Sequence, residues 1–292
     1  MTRPALLIVN PSAGGGRTAR LLPSVRSALD SRGIAHQARL TTDLPHARRL
    51  AAEAVEAGQV AVAFGGDGLV GAVAGALVGT DGTLGILPGG RGNDLARVLE
   101  IGQDPVAACS VLVGGRERPL DLGEVDGRFF VGIASCGFDS DANRIANETR
   151  VVRGNLVYVY GALAALARWK AARFTLELDG GEPLLMTGYT VAAANSRAYG
   201  GGMLMAPEAA LDDGLLDVVT VADIPRRRFL ARLPQVFKGA HVENPEVSVH
   251  RAREVRIRAD RPFTLYADGD PIAELPATIN ARAGAVRVLA PA

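Results

Sequence analysis

Three glycine-rich segments carry the residues best suited to phosphate chemistry: Asn10–Gly16, Gly65–Gly68 and Pro88–Asp94. Backbone N–H groups exposed by such turns at a helix N-terminus bind anions without a charged side chain. The second and third segments add Asp67 and Asp94, and carboxylates beside bound phosphates are typical ligands of Mg²⁺ or of its water shell. This combination indicates a site for a nucleotide phosphate and a divalent cation.

A short apolar run precedes each of these segments, ending at Val9, Phe64 and Leu87, and a helical pattern follows. Strand–helix units that repeat about every 25–30 residues are typical of a parallel sheet with helices on its faces. Ligands of such sheets bind at the carboxyl ends of the strands. We therefore expect the three segments to meet along one edge, which we call the glycine rim.

Each segment has an ordinary explanation when it is taken alone. A β-turn with a capping aspartate has the composition of Gly65–Gly68, and N-capping accounts equally well for Asn93 and Asp94. A Walker A loop is absent because no Gly-Lys-Ser/Thr follows, and the contiguous Gly14–Gly16 disfavours a spaced dinucleotide motif. Three such segments on one edge favour the phosphate interpretation over independent turns.

From about residue 120 the pattern changes to antiparallel β structure. Val125–Phe129 and Asp179–Glu182 predict hairpin turns, and apolar residues alternate with polar ones from Val247 to Ile257. Two helices, Asp141–Glu148 and Asn155–Lys170, are predicted to interrupt this region. The last strand, near Ala285–Leu289, has no place that the pattern alone can assign.

Composition narrows the class of protein. The chain has 292 residues with 32 Lys and Arg against 31 Asp and Glu, and only 5% aromatic residues, which argues against nucleic-acid binding. Cys109 and Cys136 lack metal or redox spacing, which indicates reduced thiols in the cytoplasm. No apolar run reaches the ~18–20 residues that span a bilayer, and the four histidines, without ligand spacing, are expected at the surface.

With these motifs in place, the sequence resembles the diacylglycerol kinase catalytic family, in its soluble bacterial branch. That branch is also similar to sphingosine kinases and, more remotely, to NAD kinases and phosphofructokinases. The resemblance covers essentially the whole chain. The matching blocks are VNPSAGG (Val9–Gly15), FGGDG (Phe64–Gly68), LPGGRGNDLAR (Leu87–Arg97), CGFDSD (Cys136–Asp141), APEAALDDGLLDV (Ala206–Val218) and ADGD (Ala267–Asp270).

The resemblance implies an α/β plus mainly β fold. An N-terminal parallel α/β nucleotide-binding domain, residues 1–121 with the returning strand 282–292, would precede a C-terminal antiparallel β-sandwich domain, residues 122–281, that carries the catalytic loop. It also implies ATP and Mg²⁺ as cofactors. The ATP-contacting positions carried over are Asn10, Pro11, Ser12, Ala13, Gly14, Thr41 or Thr42, Gly65, Gly66, Asp67, Gly68, Leu69, Val70, Gly71, Arg91 and Asn93.

The resemblance further assigns carboxylates to metal and proton chemistry. The Mg²⁺-organising positions fall on Asp67, Asp94, Asp121 and Asp268. A second, structural Mg²⁺ would use Ala210, Asp213 and Leu215. The family's catalytic base lies in a DGE motif, which is Asp268-Gly269-Asp270 here, so Asp268 or Asp270 is expected to orient the acceptor hydroxyl and to take its proton late in the reaction.

From spacing alone, residues 268–270 are read as a hairpin turn before they are read as a site, and residues 212–214 read as a turn or as a metal site about equally well. Three departures from the family pattern put the acceptor in doubt more than the phosphoryl transfer. Leu69 and Arg91 stand where threonines are usual, and Asp270 shortens the last carboxylate by one methylene. Arg91 would supply a charge-assisted bond in place of the missing hydroxyl.

Residues 226–238 are basic on one side and apolar on another. One interpretation is transient docking on anionic lipid, and the other, favoured here, is a solvated helix packed on the sandwich.

The sequence as a whole predicts an ATP- and Mg²⁺-dependent kinase of a lipid hydroxyl, most simply diacylglycerol. The alternatives are a sphingoid base or NAD as acceptor, and a non-catalytic lipid or nucleotide sensor. The expected location is the cytoplasm, with the inner membrane face and a homodimer left open.

Overall fold

The computed structural model describes residues 3–138, 140–142, 145, 161 and 164–292. Within these residues, fifteen strands form one continuous hydrogen-bonded sheet that runs through both halves of the chain. The strands are β1 (Ala5–Val9), β2 (His36–Leu40), β3 (Val60–Gly65), β4 (Thr83–Pro88), β5 (Arg116–Val125), β6 (Arg128–Phe130), β7 (Ile133–Gly137), β8 (Ala172–Leu178), β9 (Leu184–Ala194), β10 (Leu216–Ala222), β11 (Val247–Ala252), β12 (Glu254–Ala259), β13 (Thr264–Ala267), β14 (Asp270–Glu274) and β15 (Ala277–Ala290).

Helices flank the strands mainly in the first half. They are α1 (Ala13–Asp30), α2 (Leu44–Glu56), α3 (Asp67–Leu77), α4 (Asp94–Val98), α5 (Pro105–Ala108), α6 (Val111–Gly114) and α7 (Arg226–Arg232). Two 3₁₀ turns, Leu233–Lys238 and Ala240–Glu243, continue from α7. Residues 164–168 are helical, whereas the rest of the two helices predicted from Asp141 to Lys170 lies almost entirely outside the described residues.

The first half is a parallel sheet in the order β2-β1-β3-β4-β15. β1, β3 and β4 are buried along their whole length, as strands covered by helices on both faces must be. α2 shows how the sequence achieves this covering. Asp43 caps it by accepting a hydrogen bond from the His46 N–H (2.6 Å), and its buried residues recur at helical spacing: Ala47, Leu50, Ala51 and Ala54.

The second half is antiparallel. β7, β8, β9, β10, β12 and β13 pair with their neighbours in that sense, and both predicted hairpin turns are present. Asp126 and Gly127 adopt positive φ in the β5–β6 turn, and Asp179 and Gly180 do so in the β8–β9 turn. A separate apolar core with a stack of aromatic rings fills this half. The α/β plus β-sandwich architecture is therefore confirmed.

β15 joins the two halves. Its beginning pairs with β12, and its end runs parallel to β4 through Arg287 and Val288, so the last strand returns to the first domain. The expected boundary at residue 282 falls inside this continuous strand. Among the described residues, no helix is both long and apolar enough to cross a membrane.

Candidate active site

The three segments of the glycine rim pack backbone against backbone. The N–H groups of Gly89 and Gly90 both donate to the Gly65 carbonyl oxygen, at 2.8 and 3.1 Å. A Cβ at Gly90 would lie 2.5 Å from Gly66 Cα, and one at Gly14 would lie 2.5 Å from the Gly89 oxygen. Glycine is required at these positions because any side chain would force the segments apart.

Segment Asn10–Gly16 is shaped by its own polar groups. Asn10 Oδ1 accepts hydrogen bonds from the Ser12 N–H (3.1 Å) and hydroxyl (2.8 Å), which holds Pro11 and Ala13 in the same turn. The φ angles of 59°, 67° and 83° at Gly14–Gly16 are left-handed, a geometry in which successive N–H groups make an anion-binding concavity. At the end of β2, the Thr41 N–H and hydroxyl both donate to the Val9 carbonyl, and the Thr42 hydroxyl contacts His46.

Asp67 and Asp94 form an acidic pair at the N-termini of α3 and α4. A Cβ placed on Gly92 would lie 3.1 Å from Asp67 Oδ2 and 3.2 Å from Asp94 Oδ2, so both carboxylates face the space above this glycine. Burial raises the pKa of Asp67, and repulsion from Asp94 raises it further. The Leu95 N–H, which donates to Asp67 Oδ1, acts in the opposite direction and lowers this pKa. Asp94 Oδ2 accepts a hydrogen bond from the Gly201 N–H (2.8 Å), whereas its buried Oδ1 has no hydrogen-bond partner in the described chain.

This acidic pair fits a divalent cation. Two carboxylates that repel each other, an unpartnered buried oxygen and a gap that a single methyl group would fill are the features of a hard-cation site. No group of three or more His, Cys, Asp or Glu side chains converges as a metal cage anywhere in the described residues. A Mg²⁺ ion here would therefore complete its shell with water and phosphate oxygens, as this ion commonly does.

The β13–β14 turn brings the two candidate catalytic carboxylates to α3. A Cβ built on Gly71 would lie 3.4 Å from Asp268 Oδ2, and a Cβ built on Gly68 would lie 3.9 Å from Asp270 Oδ2. Asp268 has a φ of 52°, and its oxygens accept the N–H groups of Val131 and Gly132, both at 2.9 Å. Burial raises the pKa of Asp268 to about 7, the two N–H donors oppose the rise and the Asp67 charge adds to it.

The remaining predicted nucleotide contacts have different surroundings. Leu69 and Val70 are buried on the sheet side of α3, and Leu69 packs against Gly65. The Asn93 side chain forms its hydrogen bonds within the rim. Its Oδ1 accepts the Gly90 N–H (2.7 Å), and its Nδ2 donates to the Gly90 carbonyl oxygen (3.1 Å). Arg91 is exposed at the tip of its loop. These positions stay predictions as nucleotide contacts.

Asp121 has a place that the sequence did not predict. The carboxylate is 1% exposed, and its oxygens accept the N–H groups of Gly214 and Gly284, each at 2.6 Å. The same residue's backbone N–H donates to the Leu211 oxygen (2.7 Å). Asp121 thus ties residues 212–217, a turn that runs into the start of β10 and that we call the 212–217 turn, to the returning strand β15. Its role in organising Mg²⁺ stays a prediction.

The proposed structural cation site does not fit a metal. Asp213 Oδ2 forms an ion pair with the Arg251 guanidinium, and Oδ1 accepts the Leu215 N–H (3.0 Å). Arg251 also reaches Asp217 at 3.7 Å. Both oxygens of the carboxylate expected to bind the ion are occupied, and the side chain that takes the place of the cation is an arginine. Ala210 and Leu215 as ligands therefore stay predictions without structural support.

Two features of the site were missed in the sequence. In the Gly200–Gly202 turn, the N–H of the central glycine donates to Asp94. The run of three glycines is the sequence feature that could have predicted this turn. Asn195 is fully buried, and its Nδ2 donates to the backbone carbonyl oxygens of Asp121 (2.8 Å) and Val131 (3.0 Å). Asn195 thereby fixes the segment whose N–H groups hold Asp268, and no local pattern marks such a residue.

An apolar cavity lies in the second domain. Its volume is about 100 Å³, and it is closed by α7 and the 3₁₀ turn that follows. Its lining includes Phe138, Tyr199, Met203, Met205, Val221, Phe229, Leu233, Val236 and His241. Tyr199 and Met203 are bridged to each other across the Gly200–Gly202 turn, so one wall of the cavity leads directly to Asp94. His241 is only 7% exposed and the His36 side chain only 4%, which corrects the expectation of four surface histidines.

Known proteins match the chain over nearly its whole length. Residues 4–125 match the diacylglycerol kinase catalytic domain, and residues 132–290 match the YegS C-terminal NAD kinase beta sandwich-like domain. A diacylglycerol kinase of Mycobacterium tuberculosis is 38% identical over 97% of this chain and 94% of that protein. A "Probable lipid kinase YegS-like" of Pseudomonas fluorescens is 34% identical over 99% and 96%, respectively.

Solved structures agree on the fold. A diacylglycerol kinase from Bacillus anthracis str. Sterne superposes with a TM-score of 0.77 at 22% identity, covering 99% of this chain and 97% of that one. An NAD kinase from Archaeoglobus fulgidus in complex with ATP gives 0.53 at 13% identity, covering 98% and 93%. Two domain matches in order, together with relatives above 30% identity over nearly the whole chain, show that this chain belongs to the family of diacylglycerol kinases and YegS-like lipid kinases.

Proposed function

We propose that the protein transfers the γ-phosphoryl group of ATP, with Mg²⁺, to the hydroxyl of a lipid, most simply diacylglycerol, giving phosphatidic acid. The observation that carries the proposal is the hydrogen bond from Gly201 to Asp94. It connects an acidic, phosphate-type rim with the wall of an apolar cavity through a single turn. A kinase of a lipid alcohol needs both environments side by side.

The rim supplies positioning and charge compensation. Backbone N–H groups of the three glycine segments bind phosphate oxygens, and the exposed Arg91 is available for the same charge. Asp67 and Asp94 would hold Mg²⁺, which neutralises negative charge on the phosphates when it is bound. Neither carboxylate is compensated by a basic partner in the described part of the chain, so a cation also relieves their mutual repulsion.

The β13–β14 turn acts on the acceptor. Asp268 or Asp270 accepts a hydrogen bond from the lipid hydroxyl and takes its proton as the oxygen attacks. The new bond joins that oxygen to the γ-phosphorus. The bond from the γ-phosphorus to the bridging oxygen breaks, and ADP leaves with the electron pair. The apolar cavity offers a place for an acyl chain while the hydroxyl reaches the rim.

A labelling experiment tests the proposal. We expect ATP labelled at the γ-phosphate to label detergent-solubilised diacylglycerol, and not a sphingoid base or NAD. Asp94→Asn and Asp268→Asn should lose the activity while remaining folded, whereas Asp212→Asn, an exposed carboxylate paired with Arg118, should keep it as the matched control. Labelling of NAD or a sphingoid base would show that this molecule, and not diacylglycerol, is the acceptor. ATP binding without transfer to any acceptor would make the protein a sensor.

A further inference from the structure

The segment that closes the cavity has two faces of different chemistry. Phe229, Leu233 and Val236 point inward and line the apolar cavity. On the outer side, Leu230 is 44% exposed and Phe237 is 57% exposed. A single exposed apolar side chain is ordinary in a folded protein, so what distinguishes this outer pair is the charge that stands beside it.

The exposed apolar pair lies in line with two cations. Arg227, Leu230, Pro234, Phe237 and Lys238 are all exposed, and their spacing of three, four, three and one residues places them on one side of a helical segment. We call these five residues the outer face. The segment 226–238 contains five basic residues and no acidic one, although the whole chain has a net charge of only +1.

Of the three other basic residues of the segment, Arg226 and Arg232 are already engaged, and the exposed Arg228 acts on a carboxylate that Arg232 holds. The Arg226 guanidinium donates to the carbonyl oxygens of Ala167 (3.2 Å) and Trp169 (2.6 Å). Arg232 forms an ion pair with Glu246, and the charge of Arg228 acts on the same carboxylate, contributing to its lowered pKa. This division leaves Arg227 and Lys238 as the cations that stand beside Leu230 and Phe237.

We propose that the outer face docks on the surface of an anionic phospholipid bilayer. Exposed cations next to bulky apolar side chains match a surface of negative headgroups over hydrocarbon. A second copy of the chain fits poorly, because a two-fold contact through this face would bring like charges together without an intervening acid. The proposal deepens the proposed function and rests on it for its purpose: the docked face would open the cavity toward the membrane that holds the acceptor.

Vesicle co-sedimentation of the full-length protein, without ATP, tests the docking. Wild-type protein should bind phosphatidylcholine vesicles that contain phosphatidylglycerol, bind pure phosphatidylcholine much more weakly, and dissociate as salt is added. Arg227→Gln with Lys238→Gln should weaken binding to the anionic vesicles about thirtyfold, from the usual contribution of a cation near such a surface. Leu230→Ser with Phe237→Ser should weaken binding to both kinds of vesicle.

Matched controls lie elsewhere on the surface. Arg48→Gln with Arg49→Gln removes two exposed charges from α2, and Leu185→Ser removes an 80% exposed apolar side chain from β9. These variants should bind as the wild type does. Equal binding by the face and control variants, or no binding of the wild type to anionic vesicles, would overturn the proposal. Self-association that the outer-face variants abolish would assign the face to a second copy instead.

Turnover of a short-chain, water-soluble diacylglycerol separates this proposal from the kinase activity. The outer-face variants should phosphorylate it at the wild-type rate, because none of their residues lines the cavity or the rim. They should be slow only with acceptor embedded in anionic vesicles. Binding without turnover of any acceptor would leave docking standing and remove the proposed function, whereas equal turnover of embedded acceptor by all variants would remove docking.

Discussion

Two acidic, glycine-containing regions of this molecule look alike in sequence and differ in how their carboxylates are partnered. At the glycine rim, Asp94 keeps one buried oxygen without a hydrogen-bond partner among the described residues, and the charge of Asp94 repels that of Asp67. At the 212–217 turn, Asp213 pairs with Arg251 and the neighbouring Asp121 accepts two N–H groups. Folding alone favours the second arrangement, because an uncompensated buried charge is costly.

The difference indicates which region is built for a ligand. Carboxylates whose charge the protein leaves uncompensated gain most from a bound cation, and those already paired gain little. We therefore expect the rim to give up stability for binding, and the 212–217 turn to stabilise the junction of the domains. Substitutions that remove charge should therefore have opposite consequences in the two regions.

The largest effect is expected for Asp67→Asn. The amide oxygen can still accept the Leu95 N–H, so the fold should survive, and removal of repulsion from Asp94 should leave the melting temperature equal or higher. Loss of a carboxylate that holds the cation costs several kcal/mol in the transition state, so kcat should fall about a thousandfold or more. Steady-state kinetics and calorimetry on the same preparation measure both. Near-normal activity, or a clear loss of stability, would show that Asp67 has a structural role like that of the paired carboxylates of the 212–217 turn.

Asp121→Ala should show the reverse pattern, with the main loss in stability. Two hydrogen bonds to a buried carboxylate disappear, and bonds to charged groups contribute about 1.5 kcal/mol or more each. We expect the free energy of unfolding in denaturant titrations to drop by about 3 kcal/mol. Asp212→Ala, at an exposed ion pair with Arg118 at 3.4 Å, is the matched control and should cost less than about 1 kcal/mol. A stable Asp121→Ala protein without activity would move Asp121 to the catalytic region.

The sequence predicted what local pattern encodes. β1, β3 and β4 end at the predicted residue or one residue beyond it, and convergence of the three glycine segments followed from the geometry of a parallel sheet. The return of β15 to the first domain and the position of Asp268 at the site were predicted only through the family resemblance. An Asp-Gly turn looks the same in any hairpin, so its sequence alone does not mark a site. The partners of Asp121 and Asp94 were not predictable. Gly284 is 163 residues from Asp121 and Gly201 is 107 from Asp94, and periodicity carries no information on such pairs.

Arg251→Gln tests whether an arginine has taken the place of a structural cation. Asp217 is 3% exposed, burial raises its pKa and Arg251 opposes that rise, so removing the guanidinium should leave unfavourable charge behind. Because Arg251 itself is about half exposed, we expect a loss of only about 1 kcal/mol in the free energy of unfolding.

The effect of metal on the Arg251→Gln protein must be measured in a chain whose glycine rim has lost its own candidate metal ligand. In Asp67→Asn protein, a chelator should leave the melting temperature unchanged, and added Mg²⁺ should not restore the loss caused by Arg251→Gln. Stabilisation of either protein by Mg²⁺ would show a cation at the 212–217 turn and would make the two acidic regions more alike than their contacts suggest.

The smallest effect concerns a third kind of buried group, a histidine whose neutral form burial favours. His241 Nε2 donates to the Met205 oxygen at 3.0 Å, and Nδ1 has no hydrogen-bond partner in the described chain. Burial lowers the pKa of His241 below its ordinary value of about 6.5. Between those two values the unfolded chain binds a proton that the folded chain does not, so stability should rise with pH through this window and level off above about 6.5. His241→Gln keeps a donor for Met205 and should reduce the gain in unfolding free energy between about pH 5 and about pH 8, whereas His250→Gln, at a less buried position, should not. If both variants follow the wild-type pH dependence, the folded protein accepts a proton at His241, and the cavity is more polar than its lining suggests.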